Sequence, residues 1–342
     1  MKNWTRIALL LTLTATGCTA VLADDAKPNY SVTNTFKIGG TGGWDYGIVD
    51  PATHLLYQSR GTHTQVIDTT TGAVVADLPK CGAHGIALVP DLNKGFTSDG
   101  KADTVTAFDL NTHAILYTAP TGHNPDCIIY DPASKKVFAF DGKSRDATVI
   151  DPACKTPNLS VVGHLPLDGK PEFAASDEAG NVFVNIEDKN EIQDIDTKSM
   201  TVVNTWQIDG DSPSGLAIDI AKHHLFAGCD GKMIVVDTTT GKTIGTPPIG
   251  DGVDACAFDP ATAEAFASCG DGTLSVIKET APGKFETVQT VQTKPGARTM
   301  ALDATTHTLY LSSAELLPKK QGEKRPQLKP DTFAILVVTT AK

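Results

Sequence analysis

Seven positions, Asp45, His84, Asp126, Glu172, Ser214, Asp254 and Arg298, recur along the chain at intervals of about 42 residues and are mostly ionisable. Four are carboxylates, joined by an imidazole, a guanidinium and a hydroxyl. An imidazole among carboxylates is a donor set for a divalent ion, and His84, Asp126 and Glu172 come from consecutive repeats. The same group offers hydrolytic chemistry, with Glu172 or His84 as general base and Arg298 as oxyanion stabiliser. Both readings require a fold that brings these side chains to one place.

That fold is written in a repeat. The stretch from Ser214 to Gly250 contains short runs rich in Val, Ile, Phe and Thr, broken by Asp-Gly and Thr-Gly, the pattern of strands joined by hairpins. Its first run ends on Asp219, and equivalents stand at Asp50, Val89, Asp131, Asp177, Asp259 and Asp303, each five residues after one of the seven polar positions. Each second run carries an aromatic: Tyr57, Phe96, Phe138, Phe183, Phe226, Phe266 and Tyr310. Aromatics are only 6% of the chain, so a set this regular is a large share of them and is expected to pack between repeats. Third runs end on Asp68, Asp109, Asp151, Asp196 and Asp237, then on Lys278 and Val338. Four strands per period of about 42 residues predict an all-β, seven-bladed β-propeller of four-stranded antiparallel blades, a single domain over 31–342.

The two ends of the chain predict how the ring closes. Residues 31–38 read as a strand without a blade of its own, whereas the last repeat has strands near 299–303, 308–313 and 333–339 and lacks a fourth. Pairing the N-terminal strand with that third strand completes the last blade and removes a free edge.

The runs Leu56-Tyr57-Gln58-Ser59, Val182-Phe183-Val184-Asn185 and Leu309-Tyr310-Leu311-Ser312, with Val66-Ile67-Asp68-Thr69-Thr70-Thr71-Gly72 and Val235-Val236-Asp237-Thr238-Thr239-Thr240-Gly241, resemble the bacterial YVTN-repeat, YncE-like seven-bladed propellers over about residues 31–340. The resemblance implies the fold and export from the cytoplasm, and it leaves the reaction or ligand to be argued from the loops. Seven-bladed bacterial lactonases are similar in architecture, which keeps a hydrolase as the alternative.

In a meander blade, the loop entering the first strand and the loop between the second and third strands share a face. The seven polar positions should therefore ring the channel mouth, with Asp99, Asp141, Glu187, Asp188, Asp230 and Asp271 on the same side. A water-filled mouth is ordinarily lined by polar groups, so no cofactor is expected, although a divalent cation would suit these donors. A protein or small-molecule ligand at this face is the expected partner, because clefts focus charge and propellers bind at their mouths. His123 and the pair His223-His224 read as solvated loop residues. No nucleophile elbow, phosphate loop or metalloprotease helix motif is present to favour an enzyme.

Residues 1–23 read as an export signal: Lys2 and Arg6, an apolar run from Ile7, and Ala23 at the end. Ala15-Thr16-Gly17-Cys18 offers a second reading, lipidation at Cys18, which would be the sole attachment to a membrane. The expected location is thus periplasmic or secreted, or lipid-anchored to the envelope, with 24–30 as a linker. The net charge of −11 becomes more negative once the basic signal is removed, which argues against nucleic acid as a partner. A monomer is expected. Six cysteines follow the signal; Cys256 and Cys269, on neighbouring strands, are the favoured disulfide, Cys81 with Cys127 the weaker one, and Cys154 should stay free. Finally, 314–332 is an insertion in the last blade, rich in Pro and carrying Lys319, Lys320, Lys324, Arg325 and Lys329, expected as a basic arm on the face of the acidic ring.

Overall fold

The computed structural model describes residues 1, 28–79, 81, 84–156, 160–319 and 326–340. The signal over 1–23 lies outside the described residues apart from Met1, and so does Cys18. Among the described residues, seven four-stranded antiparallel sheets form the blades. Strands are numbered in chain order. The innermost strands are β2 (Gly47–Asp50), β6 (Ile86–Val89), β10 (Pro125–Asp131), β14 (Pro171–Ser176), β18 (Leu216–Asp219), β22 (Val253–Asp259) and β26 (Met300–Asp303). Six of them end on the predicted landmark and β14 stops one residue short of it.

The landmark carboxylates are there for the turns. Asp50, Asp219, Asp259 and Asp303 each accept a backbone N–H two or three residues on, so the hairpin into the second strand starts with its donors satisfied. Asp68, Asp109, Asp196 and Asp237 do the same after the third strands. These side chains are accounted for structurally, on turns away from the mouth.

The core lies between the blades. Seven apolar clusters each straddle one blade-to-blade interface, and the second-strand aromatics sit inside them. Phe96, Phe138 and Phe266 are wholly buried, and Tyr57 packs its ring 5.7 Å from Phe108 of the next blade. Truncating such a ring to Ala would cost about 3–5 kcal/mol. Outer strands such as Val74–Pro79 and Ile115–Pro120 are largely exposed, which is why their apolar residues, Val74, Val75, Ile115 and Leu116, face water.

Closure occurs as the sequence predicts. β1 (Tyr30–Lys37) pairs antiparallel with β28 (Ala334–Thr340), which pairs with β27 (Thr308–Ser313), and β27 pairs in turn with β26. Tyr30 reaches blade 6: its hydroxyl donates to Glu264 at 2.8 Å, its ring meets Phe266 edge-on at 5.3 Å, and its backbone exchanges hydrogen bonds with the Gln289 amide. Phe36 packs on the other side, in a cluster with Val49, Leu56 and Ile67 of blade 1. One strand therefore ties blade 7 to both neighbours.

The disulfide expectation is corrected. Cys256 and Cys269 are free thiols, as are Cys81, Cys127, Cys154 and Cys229. Cys256 stands opposite Ala267 and Cys269 opposite Val253. The two cysteines are thus diagonal neighbours across the pair β22 and β23 (Glu264–Cys269), a relation of about 7–8 Å, beyond the roughly 4.4–6.8 Å that a disulfide spans.

Deleting 31–38 should expose the β28 edge and strip two interfaces, a loss comparable with the whole stability of a domain, about 5–15 kcal/mol. Thermal melting with light scattering checks this. A truncated chain that melts with the wild type and stays monomeric would refute closure by this strand.

Candidate functional site

Six of the seven positions five residues before the landmarks line one cavity of about 340 Å³: Asp45, Asp126, Glu172, Ser214, Asp254 and Arg298. The first strands converge on the axis, which brings the residues at the start of six of them to one cavity. Lys170, Glu187 and Asp230 complete the polar wall. Six carboxyl groups from five blades thus face two cations.

His84 departs from the expected ring. Its Nδ1 lies 2.7 Å from Asp45 Oδ2 and 3.5 Å from Asp126 Oδ1, so the imidazole is a wedge between two carboxylates behind the cavity wall. Its opposite edge packs against Gly100, where a Cβ would come within 2.7 Å of Nε2. Burial opposes a charge on this ring, yet the Asp45 hydrogen bond and the nearby Asp126 carboxylate outweigh it and raise its pKa. The metal-ligating trio expected from sequence changes accordingly. Asp45, His84 and Asp126 bring one ligand atom each within 4.8 Å of one another, whereas Glu172 is taken by Lys170.

Lys170 was not singled out by sequence reasoning, and it organises this side of the mouth. Its Nζ donates to both Glu172 and Glu187. Burial disfavours its charge, and the two carboxylates more than compensate, raising its pKa. Opposite, Arg298 Nε is 3.1 Å from Asp254 Oδ2, and the Ser214 hydroxyl donates to Asp254 Oδ1. Asp126 and Glu172 keep raised pKa values despite their partners His84 and Lys170. Burial raises the pKa of Asp126, with His84 pulling the other way, and burial followed by the Asp126 charge raises that of Glu172.

The floor of the mouth is also unforeseen. Tyr46, next to Asp45, stacks on Phe173, next to Glu172, with centroids 4.4 Å apart. Tyr46 lines both the mouth and the channel cavity beneath it, so this pair from blades 1 and 4 divides the two.

Of the carboxylates between second and third strands, Glu187 and Asp230 reach the mouth. Asp99 is bonded by Thr106, Asp188 by Arg145, and Asp271 by Thr273, while Asp141 belongs to a separate cluster. His123 pairs with Asp103 at 2.8 Å in solvent, and His224 packs edge-on against Phe285. The inserted arm stands beside the mouth. Leu316 bridges to Leu328, Glu315 pairs with Lys329 at 2.7 Å, and Leu316, Pro326 and Leu328 wall an apolar cleft of about 580 Å³ with Trp44, Pro295 and Arg298. Gly252 and Arg298 border both cavities. Lys320, Lys324 and Arg325 lie outside the described residues.

No protein-family model and no curated protein matches the chain. Solved structures that are similar include hydrazine synthase of Kuenenia stuttgartiensis, at 15% identity and TM-score 0.66 over 79% of this chain and 92% of that one. The RRP9 WD40 repeats are similar at 10% identity and TM-score 0.73 over 92% and 99%. A chain of the mitotic checkpoint complex is similar at 14% identity and TM-score 0.71 over 90% and 96%. At such identities the likeness establishes the WD40-like propeller fold alone.

A carboxyl whose pKa is raised by folding favours the folded state below the ordinary carboxylate range, and that contribution is lost as pH rises through the folded value. The double variant Asp126→Asn, Glu172→Gln should therefore match the wild type near pH 4 and gain melting temperature relative to it as pH approaches about 8. Parallel curves across this range would show that neither carboxyl is perturbed.

Proposed function

We propose that the chain is an exported, monomeric YVTN-repeat, YncE-like propeller that binds a cationic group at its channel mouth. The observation that carries this reading is the surplus of carboxyl groups: six, from five blades, around one small cavity with Lys170 and Arg298 as its cations. Like charges brought out of water repel, and a ligand that supplies the missing positive charge relieves both the repulsion and the desolvation. A cavity of about 340 Å³ sits at the small end of ligand sites, which suits an ammonium or guanidinium group, free or presented by a docked protein, or a hydrated divalent ion. The adjoining apolar cleft under the arm would receive the apolar part of the same ligand. In this reading 1–23 is the export signal, with lipidation at Cys18 as the variant that would anchor the protein to the envelope.

The lactonase-like alternative needs a ring nitrogen of His84 free to accept a proton from the reacting group. Nδ1 faces Asp45 and Asp126, and Nε2 faces Gly100. Nε2 keeps the capacity to accept a proton, but His84 is not among the residues that line the mouth cavity. The ring is placed as a counter-charge to Asp45 and Asp126 rather than against a ligand there, which favours binding over hydrolysis.

Calorimetry with small ammonium, guanidinium and divalent cations, and with anions as controls, tests the proposal. Cations should bind, and Asp126→Asn with Glu172→Gln should weaken them at least tenfold while leaving the fold intact. Absence of cation binding, or equal binding to the double variant, would overturn it. Turnover of a lactone panel by the purified protein, abolished in His84→Ala, would reverse the choice between binding and hydrolysis.

A further inference from the structure

A second polar cluster lies in blade 3, away from the mouth, on β11 (Lys136–Asp141), β12 (Asp146–Ile150) and the outermost strand β13 (Val161–Pro166). Asp141 and Asp146 face each other across the β11–β12 hairpin, and His164 approaches from β13 with Nδ1 3.2 Å from Asp146 Oδ2. One ligand atom from each lies within 4.8 Å of the others. None of the three lines the mouth cavity.

Hydrogen bonding within this cluster is incomplete. The Asp141 side chain is fully buried, and its Oδ2 accepts from Thr148 Oγ1 at 2.7 Å, but its Oδ1 has no partner. Asp146 Oδ1 is likewise buried without one. A buried carboxylate oxygen with no side-chain donor costs free energy comparable with a lost charge-assisted hydrogen bond, and a bound cation would offset that cost for both carboxyls. The surroundings hold the pair in position. Thr148 Oγ1 accepts from Gly122 N–H at 3.1 Å and lies 3.2 Å from His164 Nδ1. Gly122 also admits the carboxylates closely: a Cβ there would stand 2.7 Å from Asp146 Oδ1 and 2.8 Å from Asp141 Oδ2.

We propose that Asp141, Asp146 and His164 form a binding site for a divalent ion of the zinc, manganese or iron(II) class. Imidazole with two carboxylates selects borderline ions over calcium and magnesium. Ligands about 2.0–2.2 Å from a tetrahedral ion stand about 3.3–3.5 Å apart, which is close to the 3.2 Å between His164 and Asp146. Thr148 orients Asp141 from behind, as partners of metal-bound carboxylates do. The half-exposed His164 leaves a path for the ion and open positions for water.

The test is zinc competition against a chromophoric chelator, with cobalt(II) absorption as a second readout, on full-length protein stripped of metal. Wild type should bind one ion at this site, and His164→Gln and Asp146→Asn should each weaken it at least tenfold. Because His164 is half-exposed, its substitution leaves the core untouched, and an unchanged melting temperature for the stripped variant confirms that it folds. In the Asp126→Asn, Glu172→Gln background, which removes divalent binding at the mouth, one ion should still bind. The proposal is overturned if zinc, manganese and iron(II) fail to bind at millimolar concentration, if His164→Gln in that background binds as its parent does, or if the background itself abolishes binding.

Discussion

Everything in this molecule depends on the pairing of β1 with β28. A propeller has no central core; its apolar surface is shared between neighbours, so each blade is stable only while both flanking interfaces exist. An open ring would leave two blades half-covered and one strand edge unpaired. The β1–β28 ladder joins the ends, and Tyr30 and Phe36 carry the closure sideways into blades 6 and 1. The closed ring then forces seven first strands toward one axis.

That convergence creates the electrostatic problem at the mouth. Side chains separated by about 42 residues in sequence come within hydrogen-bonding range, and most are acidic. Partial solutions are built in: the His84 wedge between Asp45 and Asp126, the Lys170 fork on Glu172 and Glu187, and the Arg298 bond to Asp254. Each neutralises locally. Asp126 and Glu172, nearer the Tyr46–Phe173 floor, are left with raised pKa values, and that residual strain is the physical content of the binding proposal.

The fold was legible because its signals are periodic. The landmark carboxylates, the second-strand aromatics and the incomplete last repeat each report a distance along the chain, and a propeller converts such distances directly into angles around an axis. The membership of the mouth was legible for the same reason. Its internal geometry was not. His84 has the right spacing and the wrong orientation, because its rotamer answers to Asp45 and Gly100, both remote in sequence. Lys170 stands two residues before Glu172 in Gly169-Lys170-Pro171-Glu172, and counting back from the landmarks passed over it. His164 carried no signal, since its significance comes from strand register alone. In the arm, the basic residues are conspicuous in sequence, whereas Leu316 and Leu328, which bridge to each other and line the cleft with Trp44 and Arg298, carry no periodic signal.

The closing strand also sets the order in which the molecule can be made. Tyr30 pairs opposite Thr340, so the earliest of the described strands has as its partner the latest of them. Blades 1 to 6 each complete themselves from contiguous chain and can assemble one after another as synthesis proceeds. The seventh stays unfinished, with β1 unattached, until β28 has appeared. Contacts of such long sequence separation are slow to form. The ring therefore closes in one late step, and a chain interrupted before β28 leaves β1 without the strand that holds it.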